Sequence, residues 1–167
     1  GAFRAHILHF VADPTEQGEA AWQYWDDGVL WVEAGLVKAV GAAAELLPQL
    51  PADLPLVHYP QQFIIPGFID THIHYPQTEM VAAFGTQLLD WLNTYTFPVE
   101  RQFGDYEYAQ RIARFFLAEL LRNGTTTALV FGTVHPESVE AFFSEAQALN
   151  LRMIAGKVLM DRNAPDY

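Results

Sequence analysis

Two rhythms of apolar and polar positions divide this chain. Residues 3–12 (FRAHILHFVA) and 29–40 (VLWVEAGLVKAV) are short runs of β-branched and aromatic residues, punctuated by turn formers at Asp26, Asp27 and Gly28 and at Ala34 and Gly35. Such runs between turn signals predict antiparallel strands of a small sheet. Residues 42–47 predict a helical turn, and residues 48–60 predict a loop, because each of the repeated prolines would remove a donor from a strand ladder. A small N-terminal β domain is therefore expected over residues 1–62.

From there the rhythm becomes an alternation of strand and helix. A strand candidate at 63–75 (FIIPGFIDTHIHY) precedes an amphipathic helical segment, and Tyr108, Ile112, Phe115, Phe116 and Leu120 recur at helical spacing over 106–121. Asn123 and Gly124 supply a C-terminal cap signal. A strand at 125–131, a helix at 136–149 with Pro136 in its first turn, and a strand at 153–159 follow. This order predicts an α/β fold with a parallel sheet covered by helices, as in a doubly wound sheet or a (β/α)8 barrel. A barrel takes about 250 residues, so residues 63–167 would hold its first three strands.

Composition narrows the function classes. With 51% hydrophobic and 14% aromatic residues, the chain does not read as a disordered tail, a collagen-like repeat or a disulfide miniprotein. Nine Lys and Arg against 20 Asp and Glu give a formal charge of −11, which argues against nucleic acid or an anionic membrane surface as partner. The absence of Cys leaves only His and carboxylates as strong metal donors. No signal-peptide pattern opens the sequence, and no apolar run approaches the roughly 18 residues of a membrane span. A cytoplasmic enzyme or binding domain is the expectation.

The candidate chemistry centres on His72 and His74, which flank Ile73 at the end of a predicted strand. A period of two sends both imidazoles to one face, where they can share a divalent metal. Alone, the pair reads more readily as ordinary strand-end histidines; its context favours a metal. Pro66 and Gly67 bend the chain into the strand, and Asp70 is close enough to orient an imidazole through a hydrogen bond. Catalytic groups of parallel α/β folds also gather at the carboxyl ends of strands. Gln77 reads from its position as a solvated loop residue or a ligand contact, and Trp91, beside Leu88, Leu89 and Leu92, as helix packing or a site wall. Glu79 and Asp90 read as solvated. His135, Pro136 and Glu137 imitate the H-x-E of cytidine-type zinc deaminases, but that signature also needs P-C-x-x-C, so His135 reads as a loop residue or the start of a helix. His6, His9 and His58 read as structural or surface residues, and Asp161, Arg162 and Asn163 as loop residues or groups at a pocket mouth.

The string FIIPGFIDTHIHYPQTE at 63–79 resembles the opening strand of the amidohydrolase superfamily, whose His-x-His supplies two metal ligands inside a (β/α)8 barrel. The segments LLDWLNTYTFPVER at 88–101, LLRNGTTTALVFGTVHPES at 120–138 and MIAGKVLMDRNAPDY at 153–167 look like those of its bacterial guanine deaminase branch. The resemblance implies the first part of a metal-dependent TIM-type barrel, with three β/α units over 63–167, preceded by a small antiparallel sheet belonging to a β-sandwich. It implies one zinc per site, with iron an admissible substitute, and guanine as a small-molecule substrate converted to xanthine and ammonia. A homodimer is compatible with it. His72 and His74 would be zinc ligands, Gln77 would hydrogen-bond the purine, and Trp91 and Leu92 would lie near the wall of the base pocket. The remaining ligands and the proton-shuttling Glu belong to later parts of the family's barrel. The 167-residue chain is therefore expected to be an inactive N-terminal part, with the remainder missing or carried by another chain. Two other readings stay open: another amidohydrolase, such as a cytosine deaminase, chlorohydrolase or hydantoinase relative, and a non-catalytic amidohydrolase-like binding or structural protein.

Overall fold

The computed structural model describes residues 1–85 and 87–166; the last residue of the 153–167 segment lies outside them. The chain divides into two compact units, Gly1–Pro66 and Gly67–Tyr167. The division falls after the expected position at 62 because the strand reaching Ile64 is bonded into the first sheet, where Ile64 pairs with Ile7.

In the first unit, β1 (Ala2–Phe10), β2 (Trp22–Glu33), β3 (Leu36–Ala42) and β4 (Leu56–Ile64) form one sheet in the order β3-β2-β1-β4. A short helix α1 (Pro14–Gln17) lies between β1 and β2, and α2 (Ala43–Leu46) follows β3. The β2–β3 hairpin turns at Ala34 and Gly35, both at positive φ (51° and 80°), as a tight two-residue turn requires. Asp26, Asp27 and Gly28, expected to turn, lie inside β2 instead. The reason is a bulge: Ala5 pairs with Gly28 and Ile7 with Trp25, so β2 carries an extra residue there. Arg4 donates to Asp27 at 2.6 and 2.7 Å and Tyr24 to Asp26 at 2.5 Å, which holds both carboxylates in the strand. Gly28 is required because a Cβ would meet Ile7 at 2.9 Å.

Residues 48–60 also depart from expectation, since β4 runs through Pro60. β4 is an edge strand, and its register with β1 shifts between Arg4–His58 and His6–Phe63, so Pro60 sits in the irregularity where a missing donor costs no ladder bond. β4 also pairs parallel to β1, so the sheet is mixed rather than purely antiparallel. Ala2, Val29 and Ala43 are buried beneath Leu46, Leu47, Leu50 and Leu54. His9 pairs with Gln23 and stacks on Trp25, and His6 lies 3.5 Å from Asp26, so both are half-buried side chains held within the first unit's sheet.

In the second unit, β5 (Phe68–His74), β6 (Thr125–Phe131) and β7 (Arg152–Gly156) lie side by side, all parallel, in chain order. After β5 come a turn at Tyr75–Met80, the short helix α3 (Leu88–Trp91), a wide π turn (Leu92–Thr96) and α4 (Phe97–Glu100). The crossover to β6 is α5 (Tyr106–Arg122), capped by Asp105, and that to β7 is α6 (Pro136–Ala148). The apolar face of α5 (Ile112, Ala113, Phe116, Leu117, Leu120) packs with Ala128 and Val130 of β6 and with Ala141, Phe142 and Ala146 of α6. Each large side chain buried there contributes about 1.5–3 kcal/mol. The alternate residues of β6, Leu129 and Phe131, stay exposed on the opposite face. Sequential parallel strands with both helices packed together on one face are the arrangement of a (β/α)8 barrel wall.

Candidate active site

β5 ends in the site, and its register explains how the histidines face it. Asp70 pairs with Ala128 and Ile73 with Val130, so three steps along β5 match two along β6. The extra residue reverses the phase of the strand. Strict alternation from Asp70 would send residues 72 and 74 to the helix-covered face. With the bulge, Ile73 takes that face and packs on the core, while His72 and His74 turn to the other and stack around Phe131, at 5.0 and 4.6 Å between ring centroids. Asp70 accepts the backbone N–H of His72 at 3.0 Å. Its observed role is thus to hold the bulged backbone, rather than to orient an imidazole as the sequence suggested.

The Nε2 atoms of His72 and His74 are 3.3 Å apart. Two nitrogens bound to one tetrahedral zinc at 2.0–2.1 Å lie about 3.3–3.4 Å from each other, so the pair is spaced as two donors of one metal; the same distance permits an imidazole–imidazole hydrogen bond in the metal-free pair. Burial, and then the neighbouring His72, lower the pKa of His74 and favour the neutral ring that a metal ligand must be. Among the described residues no group of three or more His, Asp or Glu is assembled for a metal. The donor set fits zinc as half of a site.

The turn after β5 is anchored by Tyr75, whose fully buried ring sits between Phe103 and Phe142 and whose hydroxyl donates to the Ser138 carbonyl at 2.5 Å. This anchorage sets Gln77, whose Nε2 lies 3.4 Å from His74 Nδ1. Glu100, at the end of α4, is a half-buried carboxyl pushed up to about 7 by burial, with Gln77 acting against that rise. Glu100 was not singled out from the sequence; an acidic residue at a helix end gives no signal of burial. Trp91 donates from Nε1 to the Ala83 carbonyl at 2.9 Å, which fixes the indole. His72, His74, Gln77 and Trp91 line one open cavity of about 740 Å³, continued by Met80 and Phe116. Leu92, half-buried at the start of the π turn, is not part of that lining.

The other candidates lie elsewhere. His135 is the residue before α6, its N–H donating to Thr133 Oγ1 and its carbonyl accepting from Ser138. Glu79, expected to be merely solvated, accepts from the Tyr108 hydroxyl, and burial together with that carboxylate raises the phenol's pKa. Asp90, Asp161, Arg162 and Asn163 are exposed.

Residues 63–167 match the Amidohydrolase family. This chain belongs to that family. It is 54% identical over 155 residues to guanine deaminase of Escherichia coli (strain K12), covering 93% of this chain and 35% of that protein. The solved E. coli guanine deaminase superposes with a TM-score of 0.89 at 50% identity, over 99% of this chain and 39% of that one. Guanine deaminase from C. acetobutylicum with bound guanine in its active site gives a TM-score of 0.79 at 28% identity, over 99% of this chain and 38% of the other. A zinc-bound adenosine deaminase from Xanthomonas campestris shares the fold, with a TM-score of 0.72 at 22% identity, covering 91% of this chain and 32% of that one. The chain spans little more than a third of the length of these relatives.

Proposed function

We propose that these residues are the opening part of a guanine deaminase, which converts guanine and water to xanthine and ammonia. The observation that carries this reading is the 54% identity to the E. coli guanine deaminase over 155 residues. The gathering of His72, His74, Gln77 and Trp91 around one cavity supports it. Residues 63–167 form the first three β/α units of the barrel in this reading, and residues 1–62 part of its β-sandwich. The complete protein works in the cytoplasm on a small molecule.

His72 and His74 would hold one zinc, and the same donors admit iron. When bound, the metal would make water a nucleophile at neutral pH. Gln77 offers an amide donor and acceptor to the purine edge, and Trp91 supplies a flat wall against which the base packs. The remaining metal ligands and the proton-shuttling carboxylate come from chain beyond residue 167. The 167 residues alone are inactive, because two imidazoles leave a zinc site half built.

The test is xanthine formation from guanine, followed by absorbance, for the complete protein and for residues 1–167 alone. Turnover by the complete protein only is expected. A complete protein that leaves guanine untouched and deaminates another cyclic amine would replace this reading, and turnover by residues 1–167 would refute the division of the site.

A further inference from the structure

One wall of the cavity is supplied by neither strand nor helix. Val81, Ala82 and Ala83 line it beside Gln77 and Met80, yet Val81 is 82% and the following Phe84 80% exposed. Burial of apolar side chains therefore does little to hold this segment in place. Its backbone is held instead. The chain passes through Ala82 at a φ of 65°, a left-handed conformation that a non-glycine residue keeps only where surrounding contacts impose it. Those contacts meet at Ala83, whose N–H donates to the Met80 carbonyl at 3.0 Å and whose carbonyl accepts the Trp91 indole N–H at 2.9 Å.

The indole stands on a firm base. Trp91 ends α3, which runs on through the π turn Leu92–Thr96 into α4, and α4 packs on the Tyr75–Met80 turn that carries Gln77. Gly85 shows how closely the segment approaches that base: a Cβ there would lie 2.6 Å from Trp91 Cβ and 2.8 Å from Trp91 Cδ1. Any larger residue must push the segment and α3 apart, because a Cβ cannot swing aside as the end of a long side chain can. Gly85 does not itself line the cavity, so the close approach to Trp91 is what calls for a glycine. An indole has one polar group, a donor. Here that donor is taken up by Ala83, so Trp91 meets a ligand with its ring and without a hydrogen bond to offer.

We propose that Trp91 is the positioning residue for the 81–85 segment: its indole N–H latches the Ala83 carbonyl, Gly85 admits the close packing, and together they preset the wall that the cavity presents to the purine. The proposal rests on the guanine deaminase reading for its ligand, but not for the latch itself.

The complete protein tests it with Gly85→Ala and Trp91→Phe. The first opens the latch from outside the cavity and keeps the indole; the second keeps a flat ring and removes the donor. Three readouts are taken: kcat and KM for guanine, bound zinc, and hydrogen exchange of the Trp91 indole N–H, identified in ¹⁵N-labelled protein by its disappearance in Trp91→Phe. In the wild type that N–H should exchange about 100-fold more slowly than a free indole, and in Gly85→Ala within about tenfold of it. Gly85→Ala should raise KM about tenfold, since the wall must then be ordered on binding, with kcat within about threefold and zinc unchanged. Trp91→Phe should raise KM at least as far and also keep its zinc. A merely structural role would leave KM alone and lower zinc and turnover together, as part of the protein unfolds. An indole that exchanges freely in the wild type, or an unchanged KM in either folded variant, would overturn the proposal. Should Gly85→Ala fail to fold, Trp91→Phe and the wild-type exchange rate decide it on the same terms. A wild-type protein without guanine turnover would overturn the functional reading instead. Indole exchange then decides alone: slow in the wild type and fast in Gly85→Ala, the latch stands; equal in both, it falls.

Discussion

Asp70 is the residue whose sequence context was most misleading. Two positions before His72, it reads as a partner for an imidazole, yet its carboxylate accepts the His72 backbone N–H at 3.0 Å beside the bulge. A strand ladder offers no sequence signal for an inserted residue, so the period-two argument reached the right face for the histidines without the feature that puts them there. The consequence is testable. Asp70→Ala should weaken zinc binding in the complete protein by about 10- to 100-fold, measured by chelator competition, while Asp70→Asn, which keeps the accepting oxygen, should stay within about threefold of wild type. Equal affinity for the alanine variant would remove Asp70 from the account. His72, His74, Gln77 and Trp91, singled out by motif and position, do line one cavity. Glu100 was not singled out, because burial comes from the packing of α4 on a turn distant in sequence.

At the scale of elements, the helices and strands of the second unit were readable because each carries its own punctuation. Asp105 caps α5, Gly124 adopts a φ of 84° just past its end, and Pro136 opens α6. Gly124→Ala should cost about 1 kcal/mol, from the positive φ and from a Cβ 3.4 Å from Phe68, and appear as a lowered melting temperature. In the first unit, Asp26, Asp27 and Gly28 and then Pro60 were misleading for one reason: turn formers also occupy bulges and edge strands, and only pairing distinguishes the cases. The helix pair has its own pH dependence. Arg114 donates to Glu145 at 3.0 and 2.9 Å across α5 and α6 and holds that carboxyl below its ordinary value of 4.5. The folded state therefore binds this proton less readily than the unfolded chain. The pair's contribution is complete above about pH 4.5 and is lost as the pH falls through the lowered folded value. Arg114→Ala should lower the melting temperature by a few degrees at pH 7 and converge on wild type near pH 3, in thermal melts followed by circular dichroism. A difference that persists unchanged at pH 3 would assign the effect to packing.

The second unit, the larger part of the molecule, is a barrel wall with its helices packed on one face of the sheet. Ile69, Leu129 and Ile154, on the three strands, are 70, 42 and 57% exposed. A complete barrel buries such residues in its interior, and an isolated wall leaves them as an apolar surface with free strand edges. Residues 1–167 alone should accordingly bind a hydrophobic dye and associate at micromolar concentration, as sedimentation would record, whereas the complete protein should do neither. A monomeric, dye-silent chain would mean that this surface is satisfied some other way. The family and the barrel were visible in the sequence because both are written in local motifs.

The most direct measurement is zinc content and xanthine formation from guanine, made together on the complete protein and on its His74→Ala variant. The account predicts one zinc per site and turnover in the wild type, with both lost in the variant. A variant that keeps its zinc and its turnover would contradict the assignment of the His72 and His74 pair, and with it the reading of this chain as the metal-bearing start of a guanine deaminase.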